Sequence, residues 1–327
     1  MGQQASEPSP QNSNQEPLTL RVNTSVVLVP TLVEKPNGEV LYGLSQKDFS
    51  VEDNGVPQQF HLEDDIDVQP VSLVVAVETG RTSLLQFQKI SKLGPLLDLF
   101  LGEGHGEAAV VTFDSNPQLV QDFTPDTGNI SQVVQQLRPG DGGAAILDAV
   151  GYSVNLLEQQ PKDRRRVLLL ISESRDHGSR KVDAQQLVQR IGMTNTLVLS
   201  VTYSASKAEF LNDLKGGGAV GPTMNILSPL MMAVAAMHKN VARELAVMSG
   251  GEYGPFTRER GFEDSVAEAA KHARNRYILS FHPKDASPGL HVLNVRLTED
   301  YGARVIARAS YWAVNDSGSG SSNTPRQ

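Results

Sequence analysis

The sequence predicts a doubly wound, mostly parallel α/β sheet inserted in a small β-rich domain made from both chain ends. Three observations predict it. Four short apolar runs, "VSLVVAV" (71–77), "EAAVVTF" (107–113), "RVLLLIS" (166–172) and "NTLVLSV" (195–201), are too short for helices and rich in β-branched residues, as strands buried on both faces are. Segments of helical period alternate with these runs, the pattern of a parallel sheet covered by helices. Each flank instead carries a few strand-like runs between turn signals, and a three-stranded unit alone would be marginal, so the two flanks are expected to pack together.

In chain order, residues 1–16 form a polar, Pro-containing tether with no apolar content to bury. Residues 17–69 form the N-terminal half of the β domain. Leu18 to Val33 is rich in Val, Leu and Thr, and "PNG" at 36–38 supplies a turn before "EVLYGL". "DFSVED" and "VPQQFHL" flank Asn54-Gly55, a dipeptide that tolerates the positive φ angles of a tight hairpin. The charged stretch "EDDID" (63–67) marks the junction to the α/β domain, 70–275.

Within that domain, Phe87, Ile90, Leu93 and Leu97 recur at helical spacing, with Pro95 expected to kink or split the helix. Ile130, Val133, Val134 and Leu137 mark a second helix, and Ile146, Val150, Val154 and Leu157 a third. Further helices are expected at Val182 to Ile191, at Met237 to Met248 with "SGG" as a glycine stop, and across Phe262, Val266, Ala269 and Ala273. Residues 276–314 return to strand-like runs and form the C-terminal half of the β domain; 315–327 is a flexible polar tail.

Composition narrows the function. With 39% hydrophobic and 20% charged residues the chain is that of a soluble globular protein, and no run of about 18 apolar residues predicts a membrane span. A net charge of −8 argues against nucleic acid, whose phosphates require clustered Lys and Arg. The one basic run, Arg164-Arg165-Arg166, is read as a solvated strand entrance. The absence of cysteine removes thiol nucleophiles, thiolate zinc sites and disulfides. "MGQQAS" matches a myristoylation pattern by form only; the polar start is taken to stand in place of a removed secretory signal, which implies an extracytoplasmic, periplasmic or secreted protein.

Enzymatic motifs are missing. There is no Gly-x-Ser-x-Gly elbow and no phosphate loop, and "GEGHGE" (102–107) precedes a strand where a dinucleotide fingerprint would follow one. The seven histidines show no metal-ligand spacing on one helix face, and His177 reads as a surface loop residue. No catalytic residue set is expected. The long connection from Ser204 to Ala236 carries "MNILSPLMMAVAAM", where Met224 and Met231 are candidate partner-binding residues and a core helix is the alternative.

The loops leaving three of the strands read "ETGRTS" (78–83), "GDGGAAILDA" (140–149) and "ISESRD" (171–176). Their order and spacing resemble the von Willebrand factor type A domain, a Rossmann-like fold. There a metal-ion-dependent adhesion site uses Asp-x-Ser-x-Ser, a Thr from a Gly-Gly-Thr-Ala loop, and an Asp after a hydrophobic strand. The flanks, "VPTLVEKPNGEVLYGLSQKDFSVEDNGVPQQF" and "YILSFHP" with "HVLNVRL" and "YWAV", are similar to the acidobacterial von Willebrand A-related family.

Carried onto this sequence, the resemblance places Glu78 at the first Asp, Gly80 at the first Ser, Thr82 at the second Ser, Ala144 at the loop Thr and Glu173 at the final Asp; Asp148 and Asp176 stand nearby. The metal candidates are therefore Glu78, Thr82 and Glu173, with ligand positions lost at Gly80 and Ala144. Two readings stay open: weak Mg, Ca or Mn binding with water in the lost places, or a vestigial loop without cofactor in which Arg81 pairs with Glu78 or Glu173. The resemblance implies a non-enzymatic module that binds a protein or surface polymer at Glu78, Arg81, Thr82, Ala144 and Glu173. A structural or assembly protein with an inert metal edge is the alternative, and an unrecognised hydrolase the third reading.

Overall fold

The computed structural model describes residues 26–63, 69–80, 83, 86–102, 106–203, 234–285 and 287–313. The central layer is a six-stranded sheet. It uses β5 (Val71–Glu78), β6 (Glu107–Phe113), β7 (Pro117–Thr124), β8 (Arg165–Ser172), β9 (Leu197–Tyr203) and β10 (Tyr253–Phe256), in the order β10-β9-β8-β5-β6-β7. Every neighbouring pair is parallel except β6 and β7.

Alternation along β5 shows why both faces need cover. Leu73, Val75 and Val77 join one core with residues of α1 (Phe87–Ile90), α2 (Leu93–Leu101), α3 (Thr127–Gln135) and α7 (Glu259–Arg274). Val74 and Ala76 join another with α4 (Ile146–Glu158), α5 (Ala184–Thr194) and α6 (Val241–Ser249). A period-2 strand therefore feeds two helix layers at once.

The break expected near Pro95 falls between α1 and α2, and Pro95 occupies the first turn of α2, where its missing N–H costs least. The single helix expected at 237–248 is interrupted: Asn240 accepts the Arg243 N–H at 2.8 Å and starts α6 afresh. Gly250, at φ +79°, ends α6 in the left-handed conformation that favours glycine. The solvated reading of 164–166 is corrected, because two of these guanidinium groups bind helix ends. Arg165 donates to the Ala273 and Arg274 carbonyls closing α7, and Arg166 to Leu157 and Thr194 at the ends of α4 and α5.

The other strands are β1 (Val27–Glu34), β2 (Phe49–Asp53), β3 (Val56–Pro57), β4 (Phe60–Leu62), β11 (Tyr277–Phe281), β12 (Gly289–Leu297), β13 (Arg304–Ala307) and β14 (Ser310–Ala313). They form two four-stranded sheets, β13-β1-β11-β4 and β14-β12-β2-β3, each containing strands from both sides of the α/β region. Thr31 pairs with Tyr277 and Val51 with Val295. Val29, Val33 and Phe281 from one sheet share an apolar core with Phe49, Val51 and Leu293 from the other.

Asn54 and Gly55, at φ 48° and 78°, turn β2 into β3. The stretch "EVLYGL" contributes only a single bridge, Val40 to Glu34, in place of a full strand. Arg308 ties the sandwich to the α/β layers: its buried guanidinium donates to the Leu28 carbonyl at 3.1 Å, to the Gly192 carbonyl at 2.9 Å, and to the Asn195 side chain. Desolvation lowers its pKa to about 10. No described helix is long and apolar enough to cross a membrane.

Candidate functional site

The carboxyl ends of β5 and β8 release the first and third loops, whereas the second, expected to leave a strand, joins α3 to α4 and reaches the end of β6 through the Ala145 N–H on the Asp114 carbonyl at 2.8 Å. Glu78 is the last residue of β5 and is almost fully buried. Its Oε2 accepts the backbone N–H of Glu173 at 2.8 Å, joining the first and third loops directly. The Glu173 carboxylate places Oε1 3.5 Å from Nε2 of His177. The Glu78 carboxylate thus meets the Glu173 peptide group.

Gly80 shows how closely the first two loops approach. A Cβ built there would stand 2.3 Å from the Gly143 carbonyl oxygen and 3.2 Å from Glu78 Oε1. Backbone bonds complete the packing. Gly140 N–H donates to the Thr79 carbonyl at 2.7 Å, while Ala144 and His177 exchange backbone bonds of 2.9 and 2.8 Å. Ala144 is buried, whereas the side chain of His177 is largely exposed. His177, read from sequence as a plain surface residue, therefore bridges the second and third loops through its backbone.

The nearby acids serve loop amides. Asp148, in the first turn of α4, accepts from Arg180 at 3.0 Å, Lys181 at 3.0 Å and Val182 at 2.9 Å. Asp176 accepts from Leu147 N–H at 3.0 Å and from Ser179 Oγ at 2.5 Å. Asp141 accepts from Gly143 and Ser115, and these bonds hold its carboxyl below the usual carboxylate range. These tethers were not foreseen; the available signal was an acid in the first turn of a helix that follows a glycine-rich loop.

The local hydroxyls are committed as donors. Thr79 Oγ1 bonds the Phe113 carbonyl at 3.1 Å and Ser83 Oγ the Gly80 carbonyl at 2.6 Å. Ser179 faces Asp176, and His177 Nε2 faces Glu173. Among the described residues, no hydroxyl here has an imidazole within hydrogen-bond reach to act as its base. Beside the loops lies a cleft of about 400 Å³ lined by Thr79, Asp114, Asn116, Gln136, Arg138 and Gly140. Of the residues the sequence singled out, Arg81, Thr82, Met224 and Met231 lie outside the described residues.

Residues 81–176 match the family model for the von Willebrand factor type A domain. The chain carries a von Willebrand factor type A domain. Similar solved structures include a von Willebrand factor type A protein from Catenulispora acidiphila, at 9% identity and TM-score 0.45, covering 90% of this chain and 76% of that one. BatB from Bacteroides thetaiotaomicron matches at 13% identity and TM-score 0.42, covering 62% and 99%. An aerotolerance-related membrane protein from Bacteroides fragilis matches at 14% and 0.42, covering 62% and 98%. No match was found among curated proteins.

Proposed function

We propose that this type A domain is a non-enzymatic module that binds a protein partner through its carboxyl-edge loops without depending on a divalent ion. The observation that carries the reading is the place of the first family serine. Gly80 stands there with the Gly143 carbonyl oxygen 2.3 Å from where a Cβ would be, so a serine side chain has no room in this arrangement.

Two further observations agree. Magnesium takes six oxygens at about 2.0–2.1 Å. Here one Glu78 oxygen is held by the Glu173 N–H, and Ala144 has no side-chain oxygen to offer. These residues do not fit the family's ion. The Glu78 hydrogen bond and the Ala144–His177 bridge hold the loops together instead.

The partner would meet the exposed loop residues Arg138, Arg175, His177 and Arg180. To test this, immobilised protein is offered extracts in Mg²⁺ and in EDTA, beside an Arg175→Glu, Arg180→Glu double variant. The reading expects the same captured species in both buffers and its loss in the double variant. Capture that requires Mg²⁺, or that ignores the loop substitutions, contradicts it. The same reading places the protein outside the cytoplasm; recovery in the cytoplasmic fraction of the source cells would contradict that part.

A further inference from the structure

Away from the carboxyl edge, a buried group of charges lies where α7 meets the β sandwich. His272 of α7 is 0% exposed and Glu34, the last residue of β1, is 1% exposed. One ring nitrogen of His272, Nδ1, lies 2.8 and 2.9 Å from the two carboxylate oxygens of Glu252, in the connection from α6 to β10. The other, Nε2, lies 3.5 Å from Glu34 Oε2. Neither Nε2 nor that Glu34 oxygen has a hydrogen-bond partner, and both are shut off from solvent.

The remaining charges around the ring come from every adjoining element. Glu268 lies one turn earlier on α7 and acts on His272 electrostatically. Arg276, just past α7, places Nη2 3.6 Å from Glu252 and donates from Nη1 to the Gly250 carbonyl at 2.7 Å. Arg304 of β13 pairs with the other oxygen of Glu34. Three carboxylates thus face two guanidinium groups, and the set is neutral only when the imidazole carries a positive charge. A divalent cation would instead enter beside two guanidinium groups already paired to its carboxylates, and Nδ1 is already turned to Glu252.

We propose that His272 is the centre of a pH-responsive clasp that docks the β sandwich on the type A domain, closed while its imidazole carries a proton on each nitrogen and released as one leaves. The position suits a hinge, because the chain passes from α7 through Asn275 and Arg276 directly into β11. Arg165 fixes the end of α7 to β8, so motion at the clasp would separate the layers and leave α7 seated on the sheet.

The sign follows from the surroundings. Burial alone would push the imidazole down, but the Glu252 hydrogen bond and the charges of Glu252, Glu34 and Glu268 outweigh it and hold its pKa above the ordinary value. A histidine raised on folding contributes stability that is complete below its unfolded pKa of about 6.5 and disappears as pH rises through the folded value. The clasp therefore opens on the alkaline side.

The test is NMR of the His272 ring in the whole protein, with Tm measured across the same pH series for wild type and His272→Gln, which keeps a donor for Glu252 but no charge. The proposal expects both ring nitrogens protonated at about pH 6.5, a titration midpoint above that value, and a wild-type Tm that falls across this titration relative to the variant. Amides of β1 and β11, corrected for intrinsic exchange, should lose protection over the same interval. A singly protonated ring at about pH 6.5, or a midpoint at or below it, overturns the proposal even if the variant fails to fold. Loss of one ring proton on adding Zn²⁺ at about pH 6.5, with saturable stabilisation, overturns it in favour of a metal site.

Discussion

Gly80→Ser restores the residue that the type A pattern places at this position, and the structure sets its cost. The new Cβ would lie 2.3 Å from the Gly143 carbonyl oxygen, where ordinary contact begins at 3.4 Å. Relief requires roughly 1 Å of movement by backbone, and overpacking of this kind costs about 1–3 kcal/mol. A backbone obstacle places the expected loss in the upper part of that range, about 2–3 kcal/mol. The φ of Gly80 is not in the left-handed region, so the penalty is contact alone. At about 2–4 °C per kcal/mol for a large domain, Tm should drop by roughly 4 °C or more.

Gly142→Ser is the matched control. Nothing lies within 4 Å of a Cβ there, and the facing loop should accept it with little change. Urea denaturation and thermal melting by circular dichroism, each with and without millimolar Mg²⁺, give the comparison. Wild-type stability for Gly80→Ser, or recovery of its stability by Mg²⁺, would refute the argument that the closed contact of the two loops has replaced an ion.

Two other substitutions test what holds the site and its flanks. Asp148→Ala leaves three loop N–H groups without their carboxylate and should cost about 2–4 kcal/mol in urea denaturation, with protease cutting first at 179–182; unaltered cutting would count against its role as loop anchor. Arg308→Met removes a buried guanidinium that bonds Leu28, Gly192 and Asn195, leaving their oxygens unpaired at a cost of about 3 kcal/mol. Its loss should appear first as faster amide exchange in β14 and at the end of α5, and equal protection in both proteins would contradict the tie.

The sequence made the inner strands legible because β5, β6, β8 and β9 are buried on both faces and read as nearly continuous apolar runs. Outer strands were harder. In β7, Pro117 and the polar residues Gln118, Gln121 and Asp122 hide an edge strand with one wet face, and β10 carries Gly254 and Pro255 in four residues. Loop positions such as Glu78 and Glu173 could be placed from strand ends, since the carboxyl edge follows from parallel topology. The contact between Gly80 and Gly143 was not legible, because it depends on backbone approach between loops far apart in sequence. His272 escaped for a related reason: a search for histidine pairs on one helix face misses a ring whose partners, Glu34 and Glu252, come from other elements.

The most direct test of the account is a crystal grown with Mn²⁺ and measured at an anomalous wavelength, which locates the ion at the carboxyl edge if it binds. The account predicts Glu78 Oε2 on the Glu173 N–H, the Gly143 carbonyl against Gly80, and no anomalous peak between them. An octahedral Mn²⁺ coordinated by Glu78, with the Glu173 N–H released and Gly143 withdrawn, would contradict it.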